Sequence, residues 1–238
     1  MNTATTIFDL RQVPVLLRGE AEPINAWIEK PSAARVWLYL GLITAGAGLF
    51  GAAVGCWRAP LQGAYAAIKF PLVILLTTFG NALLNAMLAP LLGLNLGFRQ
   101  SLLAILMSFT IAAAILGAFS PLMFFLVWNT PPLSPRAGVS LSSHSLILVS
   151  QVAAIAFAGV AANLRLIQLL RRLGGRATTA RAVLGAWLCG NLFLGSQLSW
   201  IFRPFIGSPS LPVEFLREDA FHGGFFETVW HALKHLFF

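Results

Sequence analysis

Residues 102–128 read LLAILMSFTIAAAILGAFSPLMFFLVW, 27 consecutive positions without an Asp, Glu, Lys or Arg. A helix apolar on every face has no place on the surface of a soluble domain, whereas a bilayer core about 30 Å thick needs about 20 such residues to cross it. Four more windows lack charge: 36–57, 70–98, 137–164 and 182–202, while the stretch just quoted sits within 100–135. That longest window contains Pro121 and is too short for two spans with a turn. One long helix, kinked where proline removes a backbone hydrogen bond, is expected there. The predicted spans are about 36–56, 71–92, 102–128, 144–164 and 182–202.

Composition agrees. The 238 residues are 58% hydrophobic and 10% charged, with a mean hydropathy of +0.79, against roughly 45–50% and 25% in soluble domains. Soluble enzyme, coiled coil, disordered tail and disulfide-rich secreted domain are excluded. The expected fold is an all-α integral membrane protein with about five transmembrane helices plus a C-terminal amphipathic surface helix. Residues 1–35 form an N-terminal arm, 36–202 the five-helix domain and 203–238 a tail. The arm holds Asp9, Arg11, Arg18, Glu20, Glu22, Glu29, Lys30 and Arg35 and no long apolar core, so no cleavable signal peptide is expected.

The junctions fit the spans. Pro71 suits the first turn of a helix, NTPPLSP at 129–135 makes a connector, and Gly174-Gly175 ends the extension of the fourth span. Cys56 and Cys189 lie in no CxxC pair and read as small apolar filler.

Sixteen Lys and Arg outweigh eight Asp and Glu. With five spans, the N-terminus and the 93–101 and 165–181 loops share a side that carries ten of the cations, and the other side carries six. The positive-inside rule therefore places the N-terminus in the cytoplasm and the C-terminal tail outside. The segment LRLIQLLRRLGGRATTAR at 164–181 dominates, with Arg165, Arg171, Arg172, Arg176 and Arg181 and no acid. Beside a membrane such a stretch reads as contact with anionic lipid headgroups. An acidic cytoplasmic partner is the competing reading. A nucleic-acid partner is not expected, because aromatic interleaving is missing.

No ionisable Asp, Glu, Lys or Arg falls within the five predicted spans, which argues against proton- or sodium-coupled transport. Their polar groups are amides and hydroxyls. Asn81 and Asn85 share a face of the second span with Thr77 and Thr78 nearby, Gln151 lies in the fourth, and Asn191, Ser196, Gln197 and Ser199 in the fifth. Asn81, Asn85, Gln151, Asn191 and Gln197 make a polar seam that either lines a solute path or supplies interhelical hydrogen bonds; the second is the plainer reading. Ala47, Gly51 and Gly55, and likewise Ala154, Ala158 and Ala162, recur every fourth residue. Such ladders let backbones approach closely, within or between chains.

Candidate chemistry is thin. His231 and His235 are spaced i, i+4 with Glu227 and His222 near, yet the metalloprotease pattern needs Glu after the first histidine, where Ala232 stands. An amphipathic surface helix is the better reading, with Phe225, Phe226, Val229, Trp230, Leu233 and Phe237 on one face and Trp230 at headgroup level. Gly46-Ala-Gly-Leu-Phe-Gly51 imitates a phosphate-binding loop but lies in an apolar span. No catalytic, cofactor or metal site is expected.

Two blocks carry a resemblance: AYAAIKFPLVILLTTFGNALLNAMLAPLLG at 64–93 and GSQLSWIFRPFIGSPSLPVEFLR at 195–217. Together they resemble an uncharacterised family of bacterial multi-pass inner-membrane proteins, loosely similar to the Yip1-type five-span membrane proteins. The resemblance implies five spans in the bacterial inner (cytoplasmic) membrane and supplies no functional residue. The expected function is a non-enzymatic membrane scaffold, an anchor or accessory subunit of a larger complex, partnered by other membrane subunits or by its own copies. The alternative is a channel or carrier for a neutral or lipid-like solute that uses the Asn/Gln seam.

Overall fold

The structure is a computed structural model that describes residues 11–30, 32–91, 97–132, 137–174, 177–208 and 210–227. Its elements are α1 Gln12–Arg18, α2 Ala21–Glu29, α3 Ala33–Gly55, α4 Pro60–Leu91, α5 Phe98–Asn129, α6 Ala137–Gly174 and α7 Ala177–Ile201. A further helix opens at Phe225. Its continuation, with Trp230, His231 and His235, lies outside the described residues. No strand occurs among the described residues.

Four helices are long and apolar enough to cross a membrane: Ala33–Gly55, Pro60–Leu88, Phe98–Asn129 and Ser142–Leu166. Helix α7 is not among them, because Asn191, Ser196, Gln197 and Ser199 dilute its apolar content. It packs against α4 and α6. The outward faces of the bundle carry Leu49, Leu84, Phe125, Val149 and Phe157, all exposed. Exposed apolar side chains on helices of this length are matched by lipid tails, not by water.

Small residues set the centre of the bundle. A side chain at Gly46 would overlap the Ala113 carbonyl, and one at Gly117 would come within 3.0 Å of the Gly46 Cα, so α3 and α5 touch backbone to backbone. Gly51 meets Ala66 and Gly55 meets Gln62 on α4. The alanine ladder of α6 also faces inward, with Ala154, Ala158 and Ala162 buried. Both ladders are therefore used inside one chain.

Two expectations change. Helix α4 begins at Pro60 rather than Pro71, so Pro71 lies inside it. Pro60 fits there because a proline's missing N–H costs nothing in a helix's first turn. Pro71 is tolerated in mid-helix because neighbouring helices enclose the freed backbone group; the Ala67 carbonyl lies 3.1 Å from where a Gly48 side chain would stand. The earlier start brings Lys69 inside a candidate span, which corrects the expectation that no ionisable group lies in one. Arg35, Arg99 and Arg165 fall only in the terminal turns of theirs. Helix α5 is the one long helix expected across Pro121.

The N-terminal helices are docked onto the bundle. Leu16, Ile24 and Ile28 are buried, and α1 and α2 contact α5 while α2 also contacts α6. Arg35 ties them down: its Nε donates to Gln12 Oε1 (3.2 Å), an Nη donates to the Trp27 carbonyl (3.3 Å), and its guanidinium lies 5.0 Å from the Trp27 ring centre.

Candidate functional site

The most polar buried surface belongs to α4. Gln62, Lys69, Thr77, Asn81 and Asn85 are separated by 7, 8, 4 and 4 positions and so form a stripe that winds slowly round the helix. None is more than 3% exposed. From Gln62 to Asn85 the stripe runs about 34 Å at 1.5 Å per residue, comparable with the hydrocarbon core.

The half from Thr77 to Asn85 meets α7. Asn81 Nδ2 donates to the Trp187 carbonyl (3.1 Å) and to Asn191 Oδ1, and Asn85 Nδ2 donates to the Asn81 carbonyl and to Asn81 Oδ1, both at 2.7 Å. Gly190 makes the approach feasible, since any side chain there would overlap Asn81 Oδ1. Every polar group of the Asn81 side chain is thus engaged. Thr77 Oγ1 and Asn85 Oδ1 are buried without a hydrogen-bond partner.

Of the predicted seam, the structure brings together Asn81, Asn85 and Asn191. Gln151 stands apart on α6, buried, its Oε1 unpaired. Gln197 Oε1 accepts from the Phe225 backbone N–H (3.3 Å), so it fastens the tail and takes no part in the seam. On the basic segment, Arg165 is half-buried with its side chain against the α1–α2 turn at Gly19. The side chains of Arg171 and Arg172 lie outside the described residues, as do Arg176 and Trp230.

The half of the stripe nearer Gln62 meets the chain that follows α7, and sequence reasoning missed it. Lys69 Nζ donates to the Pro204 carbonyl (2.9 Å). Gln62 Nε2 donates to the carbonyls of Pro204 and Phe205, both at 2.9 Å. Arg58 Nε donates to the Ser208 carbonyl (2.9 Å) and an Nη to that of Leu211 (3.2 Å). The Lys69 ammonium lies 5.1 Å from the Phe215 ring centre and 6.0 Å from that of Tyr65. Phe70 packs edge-on against Phe205 at 4.9 Å, and Tyr65 against Phe215 at 5.4 Å. The blocks 64–93 and 195–217 are therefore partners in space.

The depth of this contact matters. Gly55 of α3 faces Gln62, so Lys69 lies about 10 Å further along, two turns below the end of α3. Helix α7 ends at Ile201, Phe202 and Arg203 still bond back to its last turn, and from Pro204 the chain continues towards Arg58 without helical structure. Non-helical backbone at membrane depth is stable only when its polar groups are satisfied within the protein. Arg58, Gln62 and Lys69 provide that. No group of three metal-ligating side chains occurs among the described residues.

Comparison with protein-family models, curated proteins and solved structures finds no match.

Proposed function

We propose that this chain is a non-enzymatic integral membrane scaffold, an anchor or accessory subunit of a larger complex in the bacterial inner membrane. In this reading α7 is the fifth crossing, completed by the segment after Ile201. The N-terminal helices face the cytoplasm, where Arg165 and its neighbours meet anionic headgroups, and the tail lies outside. The observation that carries the reading is the α4–α7 seam. Its asparagines engage each other and the Trp187 carbonyl, which holds helices together and leaves no amide of Asn81 for a passing solute.

A second reading, a carrier for a small polar solute, draws on Lys69 and the unpaired Thr77 and Asn85 oxygens. Ionisable groups at membrane depth often mark such paths. Gentle extraction from the native membrane followed by native gels and mass spectrometry separates the two. The scaffold predicts stoichiometric partner subunits. A carrier predicts a lone chain or homo-oligomer whose solute flux is abolished by Asn81→Leu.

A further inference from the structure

We propose that residues 202–208 form a strap that opens and closes the end of the α4–α7 interface remote from α1 and α2, with Arg58, Gln62 and Lys69 as its latch. This goes beyond the scaffold reading and does not depend on it.

The segment is attached differently from the long helices. Helices here are joined by close packing along their length, whereas 202–208 has neither helix nor strand. Its polar hold on the bundle comes from side chains reaching its backbone: Arg58 to the Ser208 carbonyl, Gln62 to those of Pro204 and Phe205, Lys69 to that of Pro204, and His144 of α6 to the backbone of Gly207. Arg203 also pairs with Asp219 of the tail at 2.8 Å. Its apolar hold is narrow, the buried Ile206 and the Phe205 ring on Phe70. Segments with few buried apolar contacts, fixed by side-chain bonds, are those that open locally while the rest stays folded.

Lys69 gives the latch its character. It is fully buried, and no carboxylate lies within 4.0 Å of its ammonium among the described residues. One carbonyl and two aromatic faces hold the charge. A side chain selected only to fill this space would be apolar, since burying a cation carries a desolvation cost that one carbonyl does not repay. A cation retained at such a place suits a contact that breaks and re-forms, because water stabilises the ammonium as soon as the strap lifts.

What the strap covers is the polar stripe. Directly beneath it Gln62 Oε1 is buried and unpaired, and Thr77 Oγ1 is unpaired further along the stripe, about 12 Å beyond Lys69. Lifting 202–208 admits water to both.

The test uses the full chain in lipid nanodiscs, where both faces are open, with Cys56→Ala and Cys189→Ala. One reporter is added at a time: Ile206→Cys on the strap, or Ile43→Cys in the core of α3, which is fully buried and reports global unfolding. The probe is a membrane-impermeant maleimide. A strap predicts that Ile206→Cys reacts at least tenfold faster than Ile43→Cys. It also predicts that Lys69→Met raises the Ile206→Cys rate at least tenfold further and leaves Ile43→Cys unchanged. Equal rates at the two reporters overturn the proposal, as does a Lys69→Met chain whose core stays protected while Ile206→Cys is unaffected. Should Lys69→Met expose Ile43→Cys as well, the first comparison, made without any latch variant, decides alone.

Discussion

Replacing Asn81 by leucine removes the central member of the α4–α7 seam with little change in volume. Asn81 donates to the Trp187 carbonyl and to Asn191 Oδ1, and its own Oδ1 accepts from Asn85. Hydrogen bonds between membrane helices average about 0.6 kcal/mol, so the two that cross to α7 account for about 1 kcal/mol, and the Asn85 bond within α4 adds a few tenths. The amides of Asn85 and Asn191 are left to find new partners, and an orphaned buried polar group costs about 1–3 kcal/mol. We expect a total loss of about 2–4 kcal/mol, read by reversible SDS unfolding in bicelles. The double variant Asn81→Leu, Asn191→Leu should cost about 1 kcal/mol less than the sum of its parts, because the second change removes the group the first orphaned. A loss below about 0.5 kcal/mol for Asn81→Leu, with additive double-variant behaviour, refutes the reasoning that the seam is structural.

Gly46→Leu drives a side chain into the Ala113 carbonyl and separates α3 from α5; overpacking of this kind costs about 1–3 kcal/mol or more. Thermal unfolding in mild detergent should show a clearly lowered midpoint, and an unchanged midpoint contradicts the backbone contact. For topology, single cysteines at Lys30 and Leu211 in a chain otherwise free of cysteine report the two sides. An impermeant maleimide should label Leu211→Cys on intact cells and Lys30→Cys only after permeabilisation; the reverse pattern inverts the orientation.

Charge-free windows are a direct reading of what a bilayer demands, which is why α3, α5 and α6 were legible in the sequence. Helix α4 was read short because Lys69 looked like a flanking charge and Pro71 like a first-turn proline. A sequence cannot show that a lysine inside a helix has a carbonyl waiting for it. Asn81 and Asn85 stood out as amides one turn apart in an apolar stretch, and Asn191 as an amide in another. Their partnership needed the antiparallel register of α4 and α7 and the room left by Gly190. The latch was the hidden element. Gln62 and Lys69 do carry a signal, a spacing of 7 that puts them on one face of α4, while Arg58 lies in the turn before it. Their acceptors are backbone oxygens of residues 204–211, which no side-chain pattern announces. Gln197 Oε1 likewise has a backbone partner, the Phe225 N–H.

The measurement that bears most directly on the proposed role is native mass spectrometry of the chain extracted gently from its own membrane. A scaffold or accessory subunit emerges with partner subunits at fixed stoichiometry. A chain that emerges alone or only with copies of itself, and whose Asn81→Leu variant folds but loses solute flux, contradicts the account.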